Sequence, residues 1–277
     1  METTPRHHRI IRPPGKGINL NLPELWAYRE LLFYLAWREV KIRYKQTVMG
    51  AGWAILQPLF TMIIFTLLFG RLAKMPSDGI PYPLFSYAGL ILWIFFSGAL
   101  SHASTSLVSH AHMLTKVYFP RIFFPAAPSI SGLLDYVIAL VVLFFLMGWY
   151  GFIPPLFIFL LPVIVLGTML FATGLGCFLS SVCVKYRDVQ FALPFFIQLA
   201  MFASPVIYPV SIVPEHLQWL LYMNPMTGFL DAHRSCLLGH VPLDWAGLIV
   251  SFGISIMVFI LGVIYLKKTE YYFADLI

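Results

Sequence analysis

Residues 37–70 read WREVKIRYKQTVMGAGWAILQPLFTMIIFTLLFG, and the change of character at Gly50 decides the fold. Before it, Arg38, Lys41, Arg43 and Lys45 recur every two or three residues. After it, no charged side chain appears until Arg71. An apolar helix of ~20 residues crosses the ~30 Å of a bilayer's hydrocarbon, and Lys and Arg stay on the cytoplasmic side of such a span. The stretch therefore reads as a basic segment running into a first membrane crossing.

Working outward, nine of the 18 Lys and Arg residues lie before residue 46, while the rest of the chain is apolar and broken by short polar loops. With 60% hydrophobic and 11% charged residues and a mean hydropathy of +0.82, the composition excludes a soluble domain, where charged residues run near ~25%. Six stretches are apolar enough to cross: about 53–70, 83–106, 128–148, 152–182, 191–207 and 246–266. Pro154, Pro155 and Pro162 mark a tilt or break in the fourth, and the fifth is short, ending at Pro205 and Pro209. With both termini inside, only Arg71, Lys74 and Arg234 fall on the outer side, and the other fifteen Lys and Arg fall on the inner side. An odd number of spans would invert that split. The expectation is an all-α membrane protein of six transmembrane helices with cytoplasmic N- and C-termini. Its segments are a flexible leader over 1–21, an amphipathic interface helix over 22–50 and a six-span transmembrane domain over 51–277.

The net charge of +6 is explained by orientation and anionic lipid headgroups rather than nucleic acid. Cys177, Cys183 and Cys236 form no disulfide framework and read as packing residues. The first 22 residues lack the apolar core of a signal peptide.

Between Leu25 and Val48 the spacing predicts a helix lying in the membrane interface. Leu32, Phe33, Ala36, Trp37, Val40 and Tyr44 share one face, and Arg38, Lys41 and Lys45 the other. Its polar face either anchors on headgroups or docks a cytoplasmic partner. The loop Thr115-Lys-Val-Tyr-Phe-Pro-Arg121 sets Tyr118 and Phe119 between two cations, with Pro120 stiffening the chain. An aromatic knob of this kind fits a cleft in a soluble motor; the alternative is plain aromatic anchoring.

Asp135 is the one acid within a span, expected to keep a partner near the membrane face. Aromatic residues make up 17% of the chain, and Phe60, Trp93, Phe95, Phe96, Phe196 and Phe202 are candidates to line a conduit, because ring faces stack on sugars without needing charge. Gly167, Gly174 and Gly176 invite close helix approach on the fourth span. Residues 206–245 hold two short apolar runs, Glu215–Tyr222 and Thr227–Leu238, separated by Asn224-Pro225. Both are too short to span and too apolar for a free loop, so they read as re-entrant helices at the outer mouth. No GxxxxGK[ST], HExxH, CxxC or GxSxG occurs, so nucleotide binding by a phosphate loop is excluded and nothing in the chain asks for a cofactor.

Eight segments in order closely resemble the permease subunit of bacterial polysaccharide ABC exporters, from about residue 22 to the end. They are Tyr28-Arg-Glu-Leu-Leu through Trp37-Arg-Glu-Val-Lys-Ile-Arg-Tyr-Lys-Gln-Thr, Gly52-Trp53 with Gln57-Pro58, Ile80-Pro-Tyr-Pro-Leu-Phe85, Lys116-Val-Tyr-Phe-Pro-Arg121, Tyr186-Arg-Asp188, Ser204-Pro-Val-Ile-Tyr-Pro209, Asn224-Pro-Met226 and Phe273-Ala-Asp275. The chain departs from the pattern at Asp231-Ala-His-Arg234, where an aromatic is expected at His233, and at its close on Leu276-Ile277.

The resemblance implies a type-2 ABC permease, a homodimer working with two copies of a separate ATPase that binds ATP and Mg. It would be no enzyme itself and would export O-antigen-, capsule- or teichoic-acid-like lipid-linked polysaccharide across the bacterial inner membrane. It further implies ATPase contact through Arg38, Lys41 and Lys45 and through Lys116, Tyr118, Phe119, Pro120 and Arg121. An outer gate is implied at Glu215, Trp219, Asn224, Pro225, Asp231 and Arg234. Two alternatives remain open on the residues alone. One is a membrane-embedded enzyme acting on lipid-linked glycans through Glu215, His216, Asp231, His233 and Arg234; the other is a drug or lipid exporter of the same class.

Overall fold

The computed structural model describes residues 22–45, 50, 52–114, 120–239 and 241–270. Those residues are mostly helical, joined by short turns and extended stretches, with no strand among them. Two helices precede the first span, α1 (Leu22–Ala27) and α2 (Arg29–Lys45). The spans are α3 (Gly52–Phe65, continuing as a π-helical turn over Thr66–Leu72), α4 (Tyr82–Ser109), α6 (Phe123–Tyr150), α7 (Leu161–Lys185, entered through a 3₁₀ turn over Leu156–Leu160), α8 (Val189–Ala203) and α11 (Trp245–Thr269). A one-turn α5 (Ala111–Leu114) follows α4, and α9 (Glu215–Tyr222) and α10 (Pro225–Leu238) lie between α8 and α11. Five of the spans are long and apolar enough to cross a membrane, and α8 is the shorter sixth. This is a six-span, all-helical membrane protein, with α2 and the α4–α6 connection at one end and α9 and α10 at the other. We call these the basic end and the far end.

Local chemistry sets the boundaries. The third span begins at Phe123, five residues before the expected 128, because Pro125 sits in the first turn, where backbone donors have no intrahelical acceptor anyway. The fifth ends at Ala203 rather than 207. Ser204 precedes Pro205 and is extended (φ −100°, ψ 149°), as the proline ring requires of the residue before it. The Asn224-Pro225 pair expected as a break is the start of α10. Asn224 caps the helix by accepting from the Met226 N–H at 3.1 Å, and Pro225 occupies the first helical position. Gly239, at φ +66°, closes it in the left-handed conformation.

The core is built around α4. Of its apolar window 78% is buried, against 17% for α3. Tyr87, Leu84, Leu90 and Leu92 are wholly enclosed, packed by α6, α7 and α10. Helices α7 and α11 approach closely at paired glycines: a Cβ on Gly262 would lie 2.0 Å from the Gly174 carbonyl oxygen. Gly167 faces Phe229 and Phe252, and Gly176 faces Ala103. All three glycines of the fourth span thus sit at helix contacts.

Candidate functional site

At the basic end, α2 lies along the first turns of α6. Leu35 and Ala36 are buried against Phe123, Phe124 and Ala127. The contact face then turns polar: Ser131 Oγ donates to Glu39 Oε2 at 2.9 Å, the Arg43 guanidinium pairs with Asp135, and the Tyr44 hydroxyl donates to the same carboxylate. Asp135 therefore has its partner, and that partner comes from outside the spans. Burial pushes the Glu39 carboxyl above its ordinary range, with Ser131 and Arg43 working against the shift.

This corrects the assignment of faces on α2. Phe33 and Trp37, read as lying on the face opposite Lys41, are exposed and stacked at 6.5 Å, with the Lys41 ammonium on the same side, 6.0 Å from the Trp37 ring. Glu39 and Arg43 take the inward line, because polar groups on α6 satisfy them. Arg38 does not share the open face with Lys41 and Lys45. It turns toward the end of α4, reaching Met113 Sδ at 3.2 Å and the His110 ring. His110 Nδ1 lies 2.8 Å from the Ser106 carbonyl, so Nδ1 carries the proton and Nε2 accepts from Arg38. Burial first, then the Arg38 charge, hold the imidazole below its usual range.

Arg121 ties the α4–α6 connection to the end of α11: its Nε lies 3.1 Å from Glu270 Oε1, and its Nη1 donates to the Glu270 carbonyl at 2.5 Å. Pro120 is half-buried, while Lys41 and Lys45 are exposed. Lys116, Tyr118 and Phe119 lie outside the described residues.

At the far end, one side chain organises the break after α8. Arg234 is 6% exposed and donates from Nη1 to the Pro205 carbonyl (2.6 Å), from Nη2 to the Val206 carbonyl (2.6 Å) and from Nε to the Phe85 carbonyl (3.3 Å). Its guanidinium carbon lies 3.8 Å from the Phe85 ring centroid. Unwound backbone at membrane depth needs donors from the protein, and a guanidinium fork supplies several at fixed angles. Tyr82 donates to the Ile207 carbonyl at 2.9 Å, and Asn224 Nδ2 donates to Ser204 Oγ at 2.8 Å. The resemblance motifs at 80–85, 204–209 and 224–226 therefore converge on a single clamp.

Asp231 stands half-buried beside it; burial raises its carboxyl to about 6, against the pull of Arg234. His233, wholly buried, lies with Nε2 2.8 Å from the Tyr136 hydroxyl. Glu215 and Trp219 are exposed on α9 and take no part in the hydrogen bonds of Asn224 and Arg234, while Pro225 is buried at the start of α10. The acids and histidines that an embedded enzyme would need do not converge on one open cleft.

The aromatic candidates divide. Phe60, Phe196 and Phe202 are exposed. Trp93, Phe95 and Phe96 are each 4% exposed in the core of one chain, with Phe96 stacked on Phe171 at 5.2 Å. The three on α4 therefore present no open surface to a second copy. Reading the sequence missed the latch of Arg43 and Tyr44 on Asp135 and the Arg234 clamp. The available signals were a lone intramembrane acid and a lone cation inside an apolar helix.

A family model described as ABC-2 type transporter matches residues 30–238, from the start of α2 to the end of α10. The chain is 31% identical over 220 residues to an O-antigen export system permease protein of Myxococcus xanthus, covering 78% of this chain and 84% of that one. It is 25% identical over 249 residues to its counterpart in Klebsiella pneumoniae, covering 90% and 95%. It is 22% identical over 202 residues to a polysialic acid transport protein of Escherichia coli, covering 73% and 78%. By name these relatives are transport proteins, and the residues the family model matches include both the latch and the clamp; the chain belongs to the ABC-2 type transporter family.

Proposed function

We propose that this chain is the membrane-spanning subunit of an ATP-driven exporter that moves lipid-linked polysaccharide from the cytoplasmic to the outer side of the bacterial inner membrane. The observation that carries the reading is the similarity to O-antigen export permeases over most of both chains. The basic end, with α2 and both described termini, faces the cytoplasm, in keeping with where Lys and Arg accumulate. Energy comes from a separate ATPase, since the chain has no phosphate loop. The open face of α2, with Lys41 and Lys45, and the connection leading to Arg121 form its docking surface.

Two chains pair through α3 and α8, the least buried spans. Phe60, Ile64 and Leu68 on α3 and Phe195, Leu199 and Phe202 on α8 are exposed, and both helices rest on α4. A two-fold pair gives a polymer path at its interface that six spans alone do not enclose. Motion of the ATPase then reaches the spans through α2 and α6.

The test is purification from the native membrane, followed by reconstitution in vesicles. The expected result is a co-purifying ATPase in equal amount and ATP-dependent appearance of glycan on the far side. A chain that purifies alone and modifies lipid-linked glycans without ATP would overturn the reading. In the same assay Phe119→Asp is expected to leave insertion intact and abolish export.

A further inference from the structure

A cleft of about 390 Å³ opens between α3, α4 and α6 on the basic half of the bundle, inside the ~300–1,000 Å³ typical of small-molecule sites. Its walls have a mixed character. Trp53 presents an exposed ring, and behind it Phe95 and Tyr136, each 4% exposed, pack on one another 5.6 Å apart. Gln57, Ser101 and His102 contribute an amide, a hydroxyl and an imidazole. None of these three side chains makes a hydrogen bond with another described residue, although they stand within the membrane-spanning helices, where polar groups need partners. The floor is small: Gly98 lines the cleft, and a Cβ there would meet no atom within 4 Å.

Charge decides among occupants. Arg43 and Asp135, which both line the cleft, are already paired with each other. The lining therefore offers hydrogen bonds and ring faces without an unmatched cation for a phosphate. An acyl chain would leave Gln57, Ser101 and His102 unsatisfied. A sugar ring meets both demands, since its C–H face stacks on aromatic rings and its hydroxyls both donate and accept.

We propose that this cleft receives an uncharged saccharide unit of the exported glycan on the cytoplasmic half of the membrane, with Trp53 as the stacking surface and Gln57, Ser101 and His102 as hydroxyl partners. The assignment rests on the export reading above and names where the cargo's carbohydrate first meets the permease. It also places that contact beside the Arg43–Asp135 pair, so an occupied cleft touches the same residues that hold α2.

The test uses the permease with its ATPase in phosphatidylcholine nanodiscs. Trp53 emission is read as the difference between the wild-type complex and one carrying Trp53→Phe. Octyl β-glucoside, octyl phosphate and octanol are titrated below their micelle-forming concentrations. The expected result is a saturable Trp53 response to octyl glucoside that neither octyl phosphate nor octanol reproduces. Gly98→Leu, which fills the cleft, is expected to abolish it, and Gly98→Ala, which leaves most of the space, to retain it. An equal response to octanol would make the cleft a lipid-tail site, and a stronger response to octyl phosphate an anion site; either overturns the proposal. Glycan export is measured in parallel. Normal export by Gly98→Leu would overturn this proposal alone, whereas absence of export by the wild-type complex would overturn the function proposed above whatever the titration shows.

Discussion

The two ends of the bundle are fastened by different chemistry. At the far end, Arg234 is enclosed and bonded to neutral backbone carbonyls of two separate segments, with Tyr82 and Asn224 beside it. At the basic end, α2 is held by an ion pair whose side chains keep 34% and 26% of their exposure, by a few hydroxyl contacts and by two buried apolar side chains, Leu35 and Ala36. The first arrangement has no substitute partner if it opens, because the residues carrying those carbonyls are buried inside the protein. The second can exchange its partners for water or headgroups at modest cost. On the proposed reading, the helix that takes up the ATPase's movement is attached by the kind of contact that can be remade, while the segment after α8 is fixed.

The largest effect that would break this comparison is at Arg234. Each buried carbonyl deprived of its donor costs ~1–3 kcal/mol, so Arg234→Met is expected to lower the unfolding midpoint sharply and reduce the amount of folded protein in the membrane. Arg234→Lys should rescue little, because an ammonium cannot fork across two segments. A stability equal to wild type, read by thermal unfolding in detergent, would show that the far end is not clamped.

A smaller effect is expected at the latch. Asp135→Asn and Arg43→Gln should each cost about 1 kcal/mol or less and leave insertion unchanged, yet separate ATP hydrolysis from export. The double variant should be no worse than either single one. Additive losses in a double-mutant cycle on export would show that the two residues do not act as a pair.

Acid should loosen the basic end before the far end. The His110 imidazole is held below its usual range, so the stability it contributes is present at neutral pH and is lost as the pH falls through that lowered value, when a second cation forms beside Arg38. Amide exchange in α2, corrected for intrinsic rate, is expected to rise at acid pH while α10 stays protected. His110→Gln should remove the difference. The smallest effect is at Glu39: its carboxyl is raised by burial, and Gln still accepts from Ser131, so Glu39→Gln is expected to shift stability by under ~0.5 kcal/mol.

Much of this architecture could be read from the chain. Apolar run lengths marked the spans, and the Glu215–Tyr222 helix appears with the same bounds. The distribution of Lys and Arg could be counted, but it did not reveal what individual cations touch. Arg234 was counted as an outer charge, yet its role depends on carbonyls brought from positions 85, 205 and 206, a coincidence in space that no local spacing encodes. The faces of α2 were misjudged for a related reason. Periodicity sorts residues by polarity, and here a polar line, Glu39 and Arg43, packs inward because Ser131 and Asp135 on another helix meet it. Trp93 and Phe96 were legible as aromatic but not as core, since in a membrane protein rings are equally at home facing lipid, cargo or one another.

One feature of α8 bears on how a hydrophilic polymer could cross. At ~1.5 Å per residue, its fifteen residues rise about 22 Å, well short of the ~30 Å of hydrocarbon. Lipid beside it must thin, or headgroups and water must descend to the level of Ser204. The low-dielectric slab is therefore locally pinched on the side where α8 is exposed, and the solvation barrier facing a sugar chain is narrowed there even before any part of the protein moves.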